Sequence, residues 1–451
     1  MLSHMERSGT QLLSISVVIP TRNRSETLRS TLKTCIRQDS VDYEILVFDN
    51  SDPGAERDKV RAVIADIGDK RIRIEQSAKV LAMSESWETA VSLSRGRNLM
   101  IIGDDDGLIP NGVDLLMHLI NKYPGQVLHW RTPFFIWAGR EGSKNHASFR
   151  FFAPGEHTLR LASKEVLHNV CHFHESYFLL PSIYTSLIPR QTLDNIRSRT
   201  GRLFHTTSPD IGIGLVISMF CTHFYSIPVP ITICGVSKHS NGARDRKPDI
   251  SREFNSLNVQ ASLAPKSELP NKYFSVSIEV AGNILKLNEL FGELGMPLLK
   301  YSPEKMVKAA IREFEPEAAG ETEDFIVSLG QWAQKHSPRS RDTVVKEGSL
   351  ASSTINQKCQ QNFPSQKTGW SASAQSFFGL FDNEMISNIE DFSNLLNSFY
   401  RYGEISNCAS LPYYFDLRAG MVLHIKNALK KQLGKIISIC KMDFNNEGGV
   451  R

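Results

Sequence analysis

The fold is indicated most clearly by Leu99-Met100-Ile101-Ile102-Gly103-Asp104-Asp105-Asp106-Gly107. The apolar residues predict a short buried strand, and three consecutive aspartates follow it. Carboxylates this close repel one another and raise each other's pKa, and a divalent cation with hard oxygen ligands offsets that repulsion. Asp-Asp-Gly runs also occur in plain turns. Because open α/β sheets bind ligands at the carboxyl ends of their strands, the position favours a magnesium or manganese site and a phosphorylated substrate.

Strand-like and helix-like segments alternate before this stretch. Ser14–Ile19 and Glu44–Phe48 are predicted strands that end at the polar loops 21–24 and 49–52. Arg71–Glu75 is a weaker third strand, and amphipathic segments predict helices between the strands. The alternation predicts an α/β fold with a mostly parallel sheet flanked by helices, and the polar loops share one rim of that sheet.

Composition divides the chain of 451 residues into several regions. We predict an N-terminal tail at 1–13, an α/β domain at 14–250, a helical region at 251–335, a linker or disordered insertion at 336–375 and a C-terminal helical region at 376–451. The linker prediction rests on many Ser, Lys, Gln and Thr residues with few large apolar ones. Within the α/β domain, Ile211–His223 predicts a buried helix and Ile227–Cys234 a buried strand.

The charge and the cysteine content argue against several classes of protein. A formal charge of +4 is too small for this length to indicate a nucleic-acid partner. Seven cysteines at irregular spacing predict no disulfide framework and favour a reducing compartment, hence a cytoplasmic location. The first eleven residues lack the apolar core of a signal peptide.

Three blocks of the sequence, in this order and spacing, resemble the family 2 glycosyltransferases, which have a GT-A nucleotide-sugar fold. The blocks are Ser16–Arg24 (SVVIPTRNR), Ile45–Asp52 (ILVFDNSD) and Gly103–Pro110 (GDDDGLIP). The resemblance covers about Ser14 to Asn241, roughly half of the chain. It implies a metal-dependent, inverting transferase that uses Mn2+ or Mg2+ and a nucleotide-diphosphate sugar, most readily a UDP-linked one. It also implies a glycan or lipid-linked acceptor, and bacterial surface polysaccharide synthesis as the setting.

The resemblance assigns roles to residues of the first two blocks. Pro20, Thr21 and Asn23 would hold the nucleotide through loop backbone, and Arg22 or Arg24 would reach a phosphate. Asp49 would accept a hydrogen bond from a uracil ring nitrogen; its alternative role is to cap the turn that follows. Asp52 is predicted to be a turn residue.

In the third block, the resemblance gives Asp104 the ribose contact and Asp106 the metal, and Asp105 suits either role. His239 is a candidate second metal ligand, with an ordinary polar surface loop as the alternative.

The resemblance also implies a catalytic base. Asp210 follows Pro209 at a predicted helix start, where family members place the aspartate that deprotonates the acceptor hydroxyl. The glutamate that often precedes it is replaced here by Pro209. The alternative is a carboxylate that only caps the helix. Such a base implies direct displacement at the anomeric carbon with inversion.

Other features are assigned structural roles. Trp87 is predicted to be a core residue rather than a sugar platform. The group His168, Cys171, His172 and His174 lacks the paired spacing of a structural zinc site. An amphipathic helix predicted at 418–441 would suit an anionic membrane surface, although packing on its own protein is the commoner role. The helical C-terminal half could bind the acceptor, recruit a partner or form a homo-oligomer.

Competing functions lack their motifs. A nucleotidyltransferase would carry a glycine-rich loop where this chain has Pro20-Thr21-Arg22-Asn23. A dinucleotide oxidoreductase would carry Gly-x-Gly-x-x-Gly after a strand. A catalytically inactive domain that binds a nucleotide or glycan remains the main alternative to a transferase.

Overall fold

The computed structural model describes residues 13–138, 157–238 and 240, most of 256–337, and short pieces at 147–152, 343–344, 368–371, 376–381 and 388–400. Two β-sheets and surrounding helices make up this part of the chain. The predicted α/β class, with a large mostly parallel sheet flanked by helices and a helical region after it, is confirmed.

The sequence blocks build one half of an eight-stranded sheet. Its strands lie in the order β3-β2-β1-β4 and are all parallel. Their bounds are β1 (Ile15–Thr21), β2 (Tyr43–Asp49), β3 (Ile72–Gln76) and β4 (Asn98–Ile101). The helices between them are α1 (Ser25–Cys35), α2 (Ala55–Ile67) and α3 (Met83–Leu93).

Both faces of this half are buried, as β1 shows. Val17 and Ile19 pack into one hydrophobic cluster with α1 and α2, whereas Val18 packs into a second cluster with α3. A parallel strand covered by helices on both sides reads as a continuous apolar run, which explains the β-branched sequence of β1. The sheet therefore holds its polar loops rigidly at one rim.

Beyond β4 the sheet becomes mixed and continues in the order β4-β10-β6-β11-β9. The strand β10 is antiparallel to both of its neighbours. The bounds here are β6 (Leu128–His129), β9 (Leu159–Ala162), β10 (Ser186–Pro189) and β11 (His223–Ser226). The helices of this part are α4 (Gly112–Lys122), α5 (Ser163–Cys171), α6 (Arg190–Thr200) and α7 (Pro209–Phe220).

A second sheet of six strands has the order β13-β14-β8-β7-β12-β5. Its strand β12 runs antiparallel to β5, which directly follows the aspartates. The bounds are β5 (Gly107–Leu108), β7 (Phe134–Ile136), β8 (Ala147–Phe152), β12 (Thr232–Val236), β13 (Thr368–Ser371) and β14 (Ser376–Phe381). This pairing brings β12 against the aspartate loop.

The helices after residue 250 pack against the first sheet's domain. They are α8 (Val276–Glu293), α9 (Pro303–Glu313), α10 (Glu321–His336) and α11 (Ile389–Tyr400). Apolar residues of α8, among them Ile284 and Leu287, share a core with Ile213 and Val216 of α7. Phe392 of α11 joins the core that contains α1. The helical region thus supports the domain that carries the polar rim.

Local differences from the sequence prediction have simple causes. Of the predicted strand Ile227–Cys234 only residues 232–234 form a strand, at the start of β12, and β11 ends before it at Ser226, because Pro228 and Pro230 lack the N–H that a strand interior needs. The segment Tyr177–Leu179 forms one 3₁₀ turn.

Most of the segments predicted for the C-terminal part of the chain lie outside the described residues. The helix at 418–441, all of 401–451 and most of the linker 336–375 lie outside them, although β13 falls within the linker range. In the part of the chain that is described, no helix has the length and apolar character needed to cross a bilayer.

Candidate active site

Asp104 lies at the centre of the rim where β1 and β4 end. Its Oδ2 accepts a hydrogen bond of 2.7 Å from the hydroxyl of Thr21, and its Oδ1 pairs with Nη1 of Arg24 at 3.1 Å. Burial raises the pKa of Asp104, and Arg24 and Thr21 oppose that rise. Its carboxylate therefore joins the first predicted loop to the aspartate triplet.

Asp106 is held by backbone on both sides. Its Oδ2 accepts from the N–H of Gly103 at 2.6 Å, and its Oδ1 accepts from the N–H of Gly235 on β12 at 2.7 Å. Burial raises the pKa of Asp106 well above its usual range, and the neighbouring Asp105 carboxylate raises it further. This aspartate braces the loop between the two sheets.

Asp105 is the least constrained carboxylate of the three. Its Oδ2 accepts from the hydroxyl of Ser240 at 2.6 Å and from the N–H of Ser237 at 3.3 Å. Its Oδ1 accepts no hydrogen bond from any residue that the structure describes. Asp105 thus keeps an oxygen available for a ligand.

The loops after β1 and β2 are cross-linked. Asn23, in the left-handed region with φ of 57°, donates from its backbone N–H to Ser51 Oγ at 2.9 Å. Its side chain donates to Asp52 Oδ2 at 2.8 Å, and Arg22 pairs with Asp52 Oδ1 at 3.3 Å. Asp52 is thus a turn residue that ties the loops together. Pro20 precedes this loop on the same rim.

Asp49 lies at the end of β2 and is fully buried. Its Oδ1 accepts from the N–H of Ser51 at 2.9 Å and its Oδ2 from the amide of Gln76, at the end of β3, at 2.9 Å. Each carboxylate oxygen can accept a second hydrogen bond. The two predicted roles of Asp49, turn cap and base contact, are therefore compatible, and Gln76 is the neighbour that a base would meet.

Asp210 is the second residue of α7, after Pro209. Burial raises its pKa to about 6, although the backbone N–H groups of Ile211 and of Asp210 itself stabilise the ionised form. The Glu279 carboxylate on α8 adds to the rise. The dipole at a helix start favours the ionised carboxylate, but here burial outweighs it.

Tyr184 connects the triplet with Asp210. A Cβ on Gly103 would lie 3.1 Å from the Tyr184 hydroxyl oxygen and 3.0 Å from Asp105 Oδ1. On the other side, the Tyr184 backbone N–H donates at 3.4 Å to Ser182, whose hydroxyl donates at 2.9 Å to the carbonyl oxygen of Asp210. Burial raises the pKa of Tyr184, and the carboxylates of Asp106, Asp105 and Asp210 raise it further.

The thiol of Cys234 on β12 lies in the same surroundings. Burial raises its pKa well above the usual range, and the same three carboxylates add to the rise. Tyr184, whose hydroxyl lies beside the triplet and whose backbone N–H is linked through Ser182 to the Asp210 carbonyl, thus brings Asp210 near the aspartate loop.

The remaining predicted residues lie in different surroundings. Trp87 is 4% exposed and packs on Tyr184 and Phe204, so the core prediction is confirmed. His168 and His172 stack on each other, whereas Cys171 is buried. His239 lies outside the described residues, and its metal role stays a prediction.

Several residues of the site were missed by the sequence analysis. Gly235 could have been found from the sequence, because a glycine inside a strand often marks a place where another backbone approaches closely. A Cβ there would lie 1.7 Å from the carbonyl oxygen of Asp105. Trp137, whose indole N–H donates to that same carbonyl at 2.9 Å, and Tyr184 carry no local pattern that points to the site.

The aspartate oxygens of the site could ligate a divalent cation. Aspartate oxygens are hard ligands, and Asp105 Oδ1 is unengaged within the described structure. Burial first, and the neighbouring carboxylates second, raise the pKa of Asp106 and of Asp104, and a bound cation would oppose both rises. No group of three metal-ligating side chains is present among the described residues, so water and a ligand's phosphates would complete the coordination.

Comparison with known proteins identifies the domain that carries this rim. Residues 16–180 match the family model described as Glycosyl transferase family 2. This segment belongs to that family. The matched residues of the family 2 domain include the loops after β1 and β2 and the triplet, whereas Tyr184 and Asp210 lie beyond them.

A curated relative of the family 2 domain is the uncharacterized protein MT1568 of Mycobacterium tuberculosis (strain CDC 1551 / Oshkosh). It is 28% identical over 158 residues, which are 34% of this chain and 48% of that protein. The alignment therefore spans about half of the relative's length.

Solved structures to which this chain is similar include two complexes with nucleotide sugars. S. aureus TarS 1-349 in complex with UDP-GlcNAc has a TM-score of 0.40 and 13% identity, over 82% of this chain and 97% of that chain. The mannosyltransferase PcManGT from Pyrobaculum calidifontis, in complex with GDP-Man and Mn2+, has a TM-score of 0.36 and 12% identity, over 78% and 89% of the two chains.

Proposed function

We propose that this protein transfers a sugar from a nucleotide-diphosphate donor, most readily a UDP-linked one, to an acceptor hydroxyl with inversion at the anomeric carbon. The observation that carries the proposal is the position of Tyr184, whose surroundings include the triplet carboxylates and that of Asp210. A donor-binding rim and a general base within one site are what direct displacement requires.

The donor would lie along the loops after β1 and β2. Thr21 and Arg24, already bonded to Asp104, mark the ribose and diphosphate end, and the Arg24 guanidinium suits phosphate oxygens. Asp49 would accept from the uracil ring at the other end, where the Gln76 amide has to share or yield Oδ2. The cross-linked loops fix this spacing before the donor arrives.

Asp105 is our first choice for the cation ligand, ahead of the Asp106 assignment made from the sequence. Asp106 uses each carboxylate oxygen on a backbone N–H, whereas Asp105 retains Oδ1. A bound Mn2+ or Mg2+ would supply Lewis-acid stabilisation of the departing diphosphate. The role of Asp106 is then to hold the loop so that Asp105 and Asp104 face the donor.

Asp210 would accept the proton from the acceptor hydroxyl. A carboxylate with a pKa of about 6 is largely ionised at neutral pH and is a stronger base than an exposed aspartate. Its anchor through Ser182 fixes the distance from the donor side of the site. The acceptor's identity as a glycan or lipid-linked sugar, and a place in polysaccharide synthesis, remain part of this proposal.

The test is a transfer and hydrolysis assay with a panel of UDP-sugars and Mn2+. Asp210→Asn should lower the turnover of the active donor at least about 100-fold, with donor affinity changed less than twofold. Asp194→Asn is the matched control, because Asp194 is an exposed aspartate on α6 whose side chain pairs only at 3.7 Å with Arg197. Full activity in Asp210→Asn would refute the assignment of the base. No turnover of any donor by the wild type, despite nucleotide binding, would favour the inactive binding domain.

A further inference from the structure

A cavity of about 220 Å³ lies between the loop before α7 and the helical region. Its wall includes Arg202 and His205 from the loop, Lys266 from the segment before α8, and Lys286, Glu289 and Glu293 from α8. None of these residues belongs to the candidate active site. The cavity is smaller than the ~300–1,000 Å³ typical of sites for drug-sized ligands, so it suits a small group.

Arg202 lines this cavity, and part of its guanidinium is unsatisfied. Its Nε and Nη2 are closed off from water and have no hydrogen-bond partner, and Arg202 forms no ion pair among the described residues. Such a buried donor costs about 1–3 kcal/mol when no partner satisfies it. Only its backbone is engaged, since the Arg202 carbonyl accepts from Thr200 and His205.

The other charged groups around the cavity leave a positive balance facing it. Glu289 and Lys286 neutralise each other as an ion pair at 3.2 Å, and the backbone N–H of Lys266 also donates to Glu289 at 2.6 Å, so the positive balance comes from Arg202 and Lys266. Glu293 is exposed to solvent. His205 is neutral, because burial lowers its pKa to about 4, and its Nε2–H holds the Arg202 carbonyl in place at 2.9 Å.

We propose that this cavity binds an oxyanion, a phosphate group held by Arg202 with Lys286 and Lys266 beside it. The planar guanidinium matches two phosphate oxygens at once, and Arg202 lines the cavity without a carboxylate partner among the described residues. The proposed site is separate from the donor rim and goes beyond the proposed function.

The position of the cavity relates it to the proposed base. Ser208, just before α7, donates at 2.9 Å to Glu279 at the start of α8. Lys286 is seven residues further along α8, which places it about 10 Å from that contact at 1.5 Å per residue. A phosphate in the cavity would therefore lie beside the segment that carries Asp210.

The test is calorimetric titration of inorganic phosphate into the full chain, without Mn2+ and at constant ionic strength. The wild type should bind phosphate, Arg202→Gln should bind it at least tenfold more weakly, and Arg202→Lys should fall between them. Arg199→Gln is the matched control, because Arg199 is an exposed arginine nearby that lies over the Phe220 ring, and it should stay within twofold of the wild type. A parallel titration of dimethyl phosphate separates two sources: binding of both indicates a phosphodiester, and binding of inorganic phosphate alone indicates a free phosphate or monoester.

Two further readouts keep the test decisive. In phosphate-free buffer the Tm of Arg202→Gln should equal or exceed that of the wild type, and phosphate should raise only the Tm of proteins that retain Arg202. Metal-dependent UDP binding should be unchanged in Arg202→Gln, which separates this site from the donor rim. The proposal is overturned if the wild type binds neither phosphate compound, or if Arg202→Gln binds phosphate as the wild type does.

Discussion

Replacing the proposed base with its neutral isostere should make the protein more stable while it abolishes transfer. Burial raises the pKa of Asp210 from an ordinary value of 3.8 to about 6, so the folded state binds this proton more tightly than the unfolded chain does. As pH rises between these two pKa values, ionisation of the carboxyl destabilises the folded state, and this loss of stability is complete above the folded pKa. A shift of roughly two units corresponds to about 3 kcal/mol at most.

Asn at this position avoids that cost and keeps most of the geometry. Its side-chain oxygen can still accept from the Ile211 N–H that the carboxylate uses. We therefore expect Asp210→Asn to raise the free energy of unfolding by about 1–3 kcal/mol at pH 7.5, and by less than about 1 kcal/mol at pH 4, where the folded carboxyl is protonated. Stability lost to a buried functional group is a common trade-off at active sites.

The assay is urea denaturation of both proteins at pH 4 and pH 7.5, at one ionic strength and without nucleotide. Asp194→Asn, on the surface of α6, should change stability equally little at both pH values. If Asp210→Asn were less stable than the wild type at pH 7.5, the carboxylate would be a stabilising helix cap. That outcome would refute the argument that burial dominates its ionisation.

Three further predictions concern the rim and its pH dependence. Asp106→Ala should lower stability by about 1–3 kcal/mol for each of the N–H groups of Gly103 and Gly235 that it leaves unpaired. Asp105→Ala should abolish metal-dependent nucleotide binding with a smaller loss of Tm. An equal loss of Tm in the two variants would contradict the bracing role of Asp106. Gly235→Ala should disrupt the triplet, because its Cβ would lie 1.7 Å from the Asp105 carbonyl oxygen, and a normal melting curve with normal UDP affinity would argue against that packing. kcat/KM should rise with pH to a half-maximum near 6 and then level off, as a base with the pKa of Asp210 in the free protein requires, and a flat profile between pH 5 and 8 would exclude it.

The parallel half of the sheet could be predicted because its signals are local. The β-branched run of β1 and the polar residues that follow β1, β2 and β4 lie within a few residues of one another, and parallel strands bring such loops to one rim. The helix start at Pro209-Asp210 is equally local, since proline and an acidic residue both suit a first turn.

The features that could not be predicted depend on contacts between distant parts of the chain. Whether Asp105 or Asp106 has a free oxygen is decided by the N–H of Gly235, which reaches the triplet only because β12 pairs with β5. Tyr184 is placed by the antiparallel strand β10, which interrupts the parallel order. The unpaired guanidinium of Arg202 appears only when α8 packs beside the loop before α7.

The central claim is that the aspartate rim binds a nucleoside diphosphate through a divalent cation. Its most direct test is calorimetric titration of UDP, GDP and dTDP into the full chain with Mn2+, and again with EDTA. The account predicts that one of them, most readily UDP, binds with Mn2+, that EDTA and Asp105→Ala each abolish binding, and that Asp210→Asn leaves it intact. Binding that survives both EDTA and Asp105→Ala, or no binding of any of the three, would contradict it.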